Sequence, residues 1–347
     1  MITAVLVKAA RRLRPIESIE PIGPVGPVGP AWLICLLVTG LWLGSAGTAH
    51  ALQVTDDRGV PVTFTQSPQR IVSLLPSLTE SVCGLGQCQR LVGVDRYSNY
   101  PASVQALPQV GGGLDPNIEA IVALRPDVVL VSGKSRSTER LESLGLRVVA
   151  LETKTHADVR RVLQVLGALL GVPDAQGADR LWREIDSAVS AASQSLPAGS
   201  RNLRVFFEVS RGQYGAGEAS FIGETLSRLG ARNVISAKLG PFPKLSPEFI
   251  VRANPDVIMG GNASMLAMAM FPGWSSLTAV KNQRVCIFDR QDSDVLVRPG
   301  PRMAEAARLM ARCLEGKLQN PAPSKMQGSG LEKGPGNGQE NGQGKVK

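Results

Sequence analysis

The sequence predicts an α/β protein made of two similar α/β lobes bridged by one long α-helix. Three observations carry that prediction. Residues 117–130 read NIEAIVALRPDVVL and residues 246–259 read SPEFIVRANPDVIM; at one constant offset they pair Glu119 with Glu248, Ile121 with Ile250, Val122 with Val251, Pro126 with Pro255 and Asp127 with Asp256. A second pair of stretches, TESVCGLG at 79–86 and GETLSRLG at 223–230, matches Glu80 with Glu224 and Gly86 with Gly230 at a larger offset, so the spacer between the two motifs is shorter in the second half. Between the copies lie two helical stretches and no glycine-rich hinge.

Each copy follows the same physical pattern. An amphipathic stretch (IEAIVAL, PEFIVRA) runs into x-Pro-Asp, where proline disfavours helix in the residue before it. A short apolar, β-rich run follows (VVLV, VIMG). Two periods are too few for a solenoid, so the repeat describes two lobes, each holding one helix-turn-strand element of the same kind.

In chain order, residues 1–51 form a secretory signal. A basic start (Lys8, Arg11, Arg12, Arg14) precedes a Pro/Gly/Val run, the apolar stretch AWLICLLVTGLWLG at 31–44 and then SAGTAHA, with Ala49-His50-Ala51 as the small-x-small cleavage site and Leu52 as the mature start. The apolar run is shorter than the ~20 residues a membrane span prefers. Cys35 lies inside that run with no small residue just before it, which argues against a lipid anchor there. The N-terminal lobe then covers 52–157, a helical connection 158–198 and the C-terminal lobe 199–318. The tail, 319–347, is rich in Gly, Pro, Gln, Asn and Lys with little to bury, a composition that stays disordered.

In the helical connection, DVRRVLQVLGALLGV at 158–172 is amphipathic. After Pro173, Leu181, Ile185 and Val189 recur at i, i+4, i+8, the spacing of one buried stripe. The second helix is expected to run for about 20 residues, roughly 30 Å at 1.5 Å per residue. A rod of that length limits how far two lobes can open and close.

The charge falls from +9 to +7 without the presequence and to about +5 without the tail, and no basic cluster interleaved with aromatics remains, so nucleic acid is not expected as a partner. Of five cysteines, Cys35 leaves with the signal, and Cys83, Cys88, Cys286 and Cys313 form an even set suited to an oxidising compartment. Three connectivities are possible. Cys83–Cys88 and Cys286–Cys313 are favoured: the first closes the short turn CGLGQC, and the second ties the late strand RVCIF to the last helix MAEAARLMARCL. No histidine or further cysteine accompanies these spacings, so no metal site is expected.

The mature chain holds one histidine, His156, in ETKTHADVRRV. Hydrolase triads and histidine-rich metal sites need imidazole as base or ligand, and a single one excludes most of them. His156 itself is expected in a first helical turn, solvated. There is no P-loop, and the GGG at 111–113 precedes LDPN instead of opening a helix after a strand, so no dinucleotide site is expected. The chain does not read as an enzyme.

Two lobes bridged by a helix behind a signal peptide, with RIVSLLPSLTE, LVGVDRYSNYP, NIEAIVALRPDVVL and PFPKLSPE in this order, resemble the periplasmic substrate-binding proteins of ABC importers for cobalamin, haem and iron-siderophores. The resemblance covers about 69–316 and is strongest to the cobalamin binders. It implies a monomeric, periplasmic solute receptor that needs no cofactor, takes a metal chelate into a cleft between the lobes and delivers it to the two permease subunits in the inner membrane. The family's ligand positions fall on Tyr97 in DRYSNYP, Tyr214 in RGQYGAG, Phe242 in PFPK, and Asp294 and Arg298 in SDVLVRPGPR. Gly113, Ser132 and Val295 stand where the family often offers aromatics, which leaves a related corrinoid, a haem or a ferric siderophore as open as cobalamin. A metal-chelate processing enzyme on the same scaffold is the alternative, and the scarcity of histidine favours the receptor. The resemblance also implies one permease-docking glutamate per lobe, Glu119 and Glu248, with Glu80 and Glu224 as competitors.

Overall fold

A computed structural model describes residues 51–318 apart from 134, 211–212 and 262–269, together with Gly23. The expected signal segment up to residue 50, Cys35 with it, and the 319–347 tail lie outside the described residues, Gly23 apart.

Four apolar runs form the first sheet: β3 (Ile71–Ser73), β4 (Leu91–Val94), β5 (Val128–Ser132) and β6 (Val148–Leu151). All pair in parallel in the order β4-β3-β5-β6. Their near-continuous hydrophobicity is what a parallel sheet covered on both faces requires. The connections carry α1 (Pro76–Gly84), α2 (Ile118–Ala123) and α3 (Thr138–Ser143). A hairpin that the sequence pattern did not announce, β1 (Leu52–Thr55) with β2 (Pro61–Phe64), precedes the sheet.

The second sheet repeats the plan with β7 (Arg204–Ser210), β9 (Arg232–Asn233), β10 (Val257–Gly261) and β11 (Val285–Phe288), parallel in the order β9-β7-β10-β11. A short β8 (Tyr214–Gly215) adds antiparallel to β7. Here the connections carry α6 (Phe221–Arg228), α7 (Pro247–Ala253) and α8 (Thr278–Lys281). Counted along the chain within each lobe, both four-strand sheets have the order 2-1-3-4. The duplicated sequence is therefore a duplicated topology.

The matched residues perform matched tasks. Asp127 accepts the backbone N–H groups of Gln69 and Arg70 at 2.8 and 2.9 Å, while the Arg70 guanidinium donates to the carbonyls of Arg125 and Leu124. Asp256 accepts the backbone N–H and side chain of Arg204, whose guanidinium also reaches the carbonyl of Ala253. The Arg204 hydrogen bonds hold the Asp256 carboxyl below its ordinary range. Each Pro-Asp thus ties the end of a helix to the entry of its lobe's first strand. Gly86 and Gly230 have φ of +78° and +80° and close equivalent helix ends: their N–H groups reach the carbonyls of Cys83 and Ser227, and the next residues reach those of Val82 and Leu226.

Helix α4 (His156–Leu170) opens on a capping box between Thr155 and Asp158 and stops at Gly171 in the left-handed region. Burial raises the Asp158 carboxyl, but hydrogen bonds from Thr155, Lys154 and Arg161 outweigh it and hold the group below its ordinary value. Helix α5 (Ala178–Ser195) begins five residues after Pro173 instead of directly at it, because 173–177 close a turn on the carbonyls of Pro173 and Asp174. At 18 residues it remains the longest helix among the described residues, and Leu181, Ile185 and Val189 form its buried stripe as the spacing requires. It packs on α4 and on α6, and along α10 (Met303–Leu314), which follows α9 (Arg290–Val297). One apolar cluster accordingly runs from the first sheet through α4, α5 and α10 into the second. Both favoured disulfides form, with Cα–Cα separations of 4.1 Å for Cys83–Cys88 and 6.0 Å for Cys286–Cys313. No helix among the described residues is long and apolar enough to cross a membrane.

The expectation for His156 is overturned. Its ring is buried, with Nε2 2.8 Å from the Thr225 hydroxyl and 3.1 Å from the Phe221 carbonyl, and it meets the Trp182 ring edge-on at 6.0 Å. Its backbone N–H donates to Glu224 at 2.6 Å. The first turn of α4 is thus clasped by α6 of the other lobe, a long-range contact that no local pattern encodes. Burial pushes the imidazole pKa below its ordinary 6.5. Unfolding releases a ring that takes a proton more readily, so this site's stability is full above about pH 6.5 and is lost as pH falls from there toward the lowered folded value. We expect the melting temperature to drop between pH 7.5 and 5.5, and His156→Gln, measured by calorimetry, to show a shallower drop; an identical pH slope in the variant would refute the buried-neutral account.

Candidate functional site

The carboxyl ends of all four parallel strands of the first sheet open onto one cleft, where open α/β sheets place their ligands. Leu75–Ser77 follow β3, Tyr97 follows β4, Ser132 ends β5, and Leu151–Lys154 leave β6. The second lobe supplies Phe221 at the start of α6, Leu239 to Phe242 before α7, and Asp294, Val297 and Arg298 on α9. The open cleft has a volume of about 700 Å³, within the range of small-molecule sites. A second hollow of about 710 Å³ beside α6 has no aromatic wall except His156. Three of its four charged residues are already engaged: Glu224 with the His156 N–H, Glu218 with the Ala237 N–H, and Arg228 with Asp186, which leaves Arg232. The interlobe cleft is the candidate site.

Four of the five expected ligand residues meet there. Tyr97 is 57% exposed, on a loop held by Asp95, which accepts the Tyr97 N–H at 3.0 Å and the Ser98 hydroxyl. Burial raises the Asp95 carboxyl, and the bonds from Ser98 and Tyr97 oppose that shift in part. Phe242 faces the cleft from the other lobe, its ring 6.1 Å from that of Phe221 at 60°. Tyr214 does not join them. It lies on β8, bridging the backbone of Lys244, and is outside the residues that line the cleft.

Asp294 and Arg298 reach the cleft wall, where they are engaged with neighbouring side chains. Arg298 is buried; one terminal nitrogen meets Glu80 at 2.8 Å and Asn99 Oδ1 at 2.7 Å, and the other meets the Tyr97 carbonyl at 3.0 Å and Asp294 at 2.9 Å. Asp294 also accepts from Asn99 at 2.9 Å. Arg302 grips Glu80 through two nitrogens, at 2.7 and 2.9 Å, with its guanidinium 4.3 Å from the Tyr100 ring centroid. Two arginines and two carboxylates thus bolt α9 and α10 to α1 and the Tyr97 loop.

The same contacts remove Glu80 from the docking candidates, since it is 3% exposed. Glu224 is committed to the start of α4. Glu119 and Glu248 are both exposed, each the second residue of an equivalent helix, capped by Asn117 in α2 and by Ser246 in α7. The Glu248 carboxyl sits below its ordinary range because it accepts its own backbone N–H and the Ser246 hydroxyl.

Two of the three missing aromatics have structural reasons, while nothing in the structure explains Ser132. A Cβ at Gly113 would stand 2.7 Å from the Leu74 carbonyl oxygen, so this backbone admits no tryptophan there. Val295 is buried in the core, away from the cleft. Tyr97, Phe221 and Phe242 are the aromatic lining among the described residues. Phe221, Glu152 and Lys154 were missed from sequence. They sit at a helix start and a strand exit, and only the approach of the second lobe turns them into a wall.

Proteins similar to this chain are named for binding a substrate or solute. An uncharacterized ABC transporter substrate-binding lipoprotein of Bacillus subtilis is 29% identical over 272 residues, 75% of this chain and 84% of its own length. A vitamin B12-binding protein of Pectobacterium atrosepticum is 28% identical, covering 70% of this chain and 86% of the relative. The crystal structure of a periplasmic haem-binding protein from Pseudomonas aeruginosa superposes with a TM-score of 0.60 at 26% identity, over 73% of this chain and 94% of that one. Residues 71–291, more than half of the sequence, match the model of the periplasmic binding proteins. The chain belongs to the periplasmic binding protein family.

Proposed function

We propose that this protein is the solute-binding component of an ABC importer, which captures a corrinoid or haem-type metal chelate between its lobes outside the inner membrane and hands it to the permease unchanged. The observation that carries this reading is Tyr97 and Phe242 facing one cleft of about 700 Å³ from opposite lobes. A flat macrocycle gains most of its binding from apolar contact, about 25 cal/mol per Å², and a few polar groups fix its orientation. Nothing in this task requires a general base, and the lone histidine of the described residues is buried in the core. Absorbance titration of the purified protein with cyanocobalamin, haemin and ferric siderophores tests the reading, with mass spectrometry of the recovered ligand. Binding of none of the three, or recovery of an altered ligand, overturns it.

Three outcomes follow from the geometry. Tyr97→Ala and Phe242→Ala should each weaken binding by about 1–3 kcal/mol, the loss of one buried apolar side chain, with the melting temperature unchanged; an unaltered dissociation constant in the folded double variant would assign both rings to packing. Because α5 and the Glu80–Arg298–Arg302 contacts bridge the lobes, small-angle scattering should show nearly the same radius of gyration with and without ligand. A clear contraction on binding would contradict the rigid bridge.

The third concerns transfer. A monomeric receptor on a two-fold permease must offer each subunit an equivalent contact, and Glu119 and Glu248 occupy equivalent helix starts. Glu119→Arg together with Glu248→Arg should leave ligand affinity intact and cut uptake about tenfold or more through like-charge opposition at the interface. Wild-type uptake at equal protein level removes these residues from docking.

A further inference from the structure

Four charged side chains line the cleft among the described residues: Glu152, Lys154, Asp294 and Arg298. They fall into two pairs of opposite character. The Arg298 side chain is 8% exposed and both its terminal nitrogens are occupied by Glu80, Asn99, Asp294 and the Tyr97 carbonyl. Turning it toward a ligand would take one of two guanidiniums from the buried Glu80, leaving Arg302 alone to pair it. The Lys154 side chain is 40% exposed, and its ammonium, a donor of three hydrogen bonds, has one ion-pair partner, Glu152 Oε2 at 2.9 Å, itself 30% exposed. Exposed pairs of this kind are weak, so a ligand oxyanion can take the place of Glu152 at little cost.

The backbone beneath Lys154 is fixed although the side chain is not. Its N–H donates to Asp158 at 3.1 Å and its carbonyl accepts the Phe221 N–H at 2.6 Å. The preceding Glu152 N–H donates to Asp57 at 2.6 Å, and the Glu152 carbonyl accepts from Arg161. The ammonium therefore swings from a rigid base at the seam of the two lobes, beside Phe221 and across from the Tyr97 loop.

We infer that Lys154 is the specificity-determining cation of the cleft, selecting metal chelates that carry a peripheral oxyanion, carboxylate or phosphate, with Glu152 holding the ammonium in place until such a ligand arrives. The inference rests on the proposed function and deepens it. Two ligand pairs test it and separate the sources of the oxyanion: haemin against haemin dimethyl ester for carboxylate, and cyanocobalamin against dicyanocobinamide, which lacks the phosphodiester. Wild-type protein should prefer the anionic member of at least one pair by about tenfold or more, as expected for a charge-assisted hydrogen bond. Lys154→Met should collapse that preference to near unity by weakening the anionic member alone. Glu152→Gln, which frees the ammonium, should strengthen that member. Backbone bonds made by residue 154 survive the substitution, and melting temperatures confirm folding. If wild type binds both members of each pair alike, or if Lys154→Met leaves the preference unchanged, the inference falls while the receptor reading stands. If wild type binds none of the four compounds the inference falls, and the receptor reading falls with it when ferric siderophores do not bind either.

Discussion

The burial of Glu80 between Arg298 and Arg302 is the constraint on which the cleft depends. A carboxylate 3% exposed is tolerable only if paired, and removing one partner of such a site typically costs about 3–5 kcal/mol because a charge is left uncompensated. Here Glu80 comes from α1 of the first lobe, the two guanidiniums come from α9 and α10 of the second, and Asp294 with Asn99 completes the set. Two positive and two negative charges close the account locally. The lobes cannot part at this seam without exposing or orphaning some of them, and so the distance between the aromatic walls is set by electrostatics as well as by α5. His156, clasped by Thr225 and Phe221 of α6, makes a second tie near the cleft floor.

The duplication explains why the two walls resemble each other. Both lobes run their strands in the order 2-1-3-4, tie Pro-Asp to an arginine backbone at the entry of the first strand, and end a helix on a left-handed glycine. Equivalent loops therefore arrive at the mouth of the cleft from two directions, and equivalent helix starts present Glu119 and Glu248. The lobes diverge where function needs difference. The first sheet exits into the Tyr97 loop and Lys154, whereas the second presents Phe242 and a buried arginine.

Much of this was legible in the sequence because it is local or periodic. The Pro-Asp turns, the buried stripe Leu181, Ile185 and Val189, the two disulfides and the pairing of Glu119 with Glu248 all follow from spacing along one segment. The failures share a different cause. His156 seemed solvated because Lys154, Thr155 and Asp158 around it are polar, yet α6 of the other lobe covers it. Glu80 looked like a surface acid by its alignment with Glu224, but its partners lie more than 200 residues away. Arg298 does line the cleft, but a sequence does not show how many acceptors already surround its guanidinium. Tyr214 was placed by resemblance, and the short β8 bridges it to the Lys244 backbone, outside the residues that line the cleft. Each error is a long-range contact that residue spacing does not carry.

A receptor must also let its ligand go, and the division of charges bears on that. Buried, saturated groups such as Arg298 hold shape and are slow to rearrange, because breaking any one contact leaves the others unsatisfied. Half-exposed groups such as Lys154 and Glu152 exchange partners at little cost. With the frame held by the first kind, the proposed function places ligand entry and exit on rim side chains and not on a large swing of the lobes. Affinity differences among related complexes reside mostly in the dissociation rate. Under the proposed function that rate follows from how much aromatic contact Tyr97 and Phe242 retain and from whether the Lys154 ammonium has an oxyanion to hold, while the buried arginine frame stays intact.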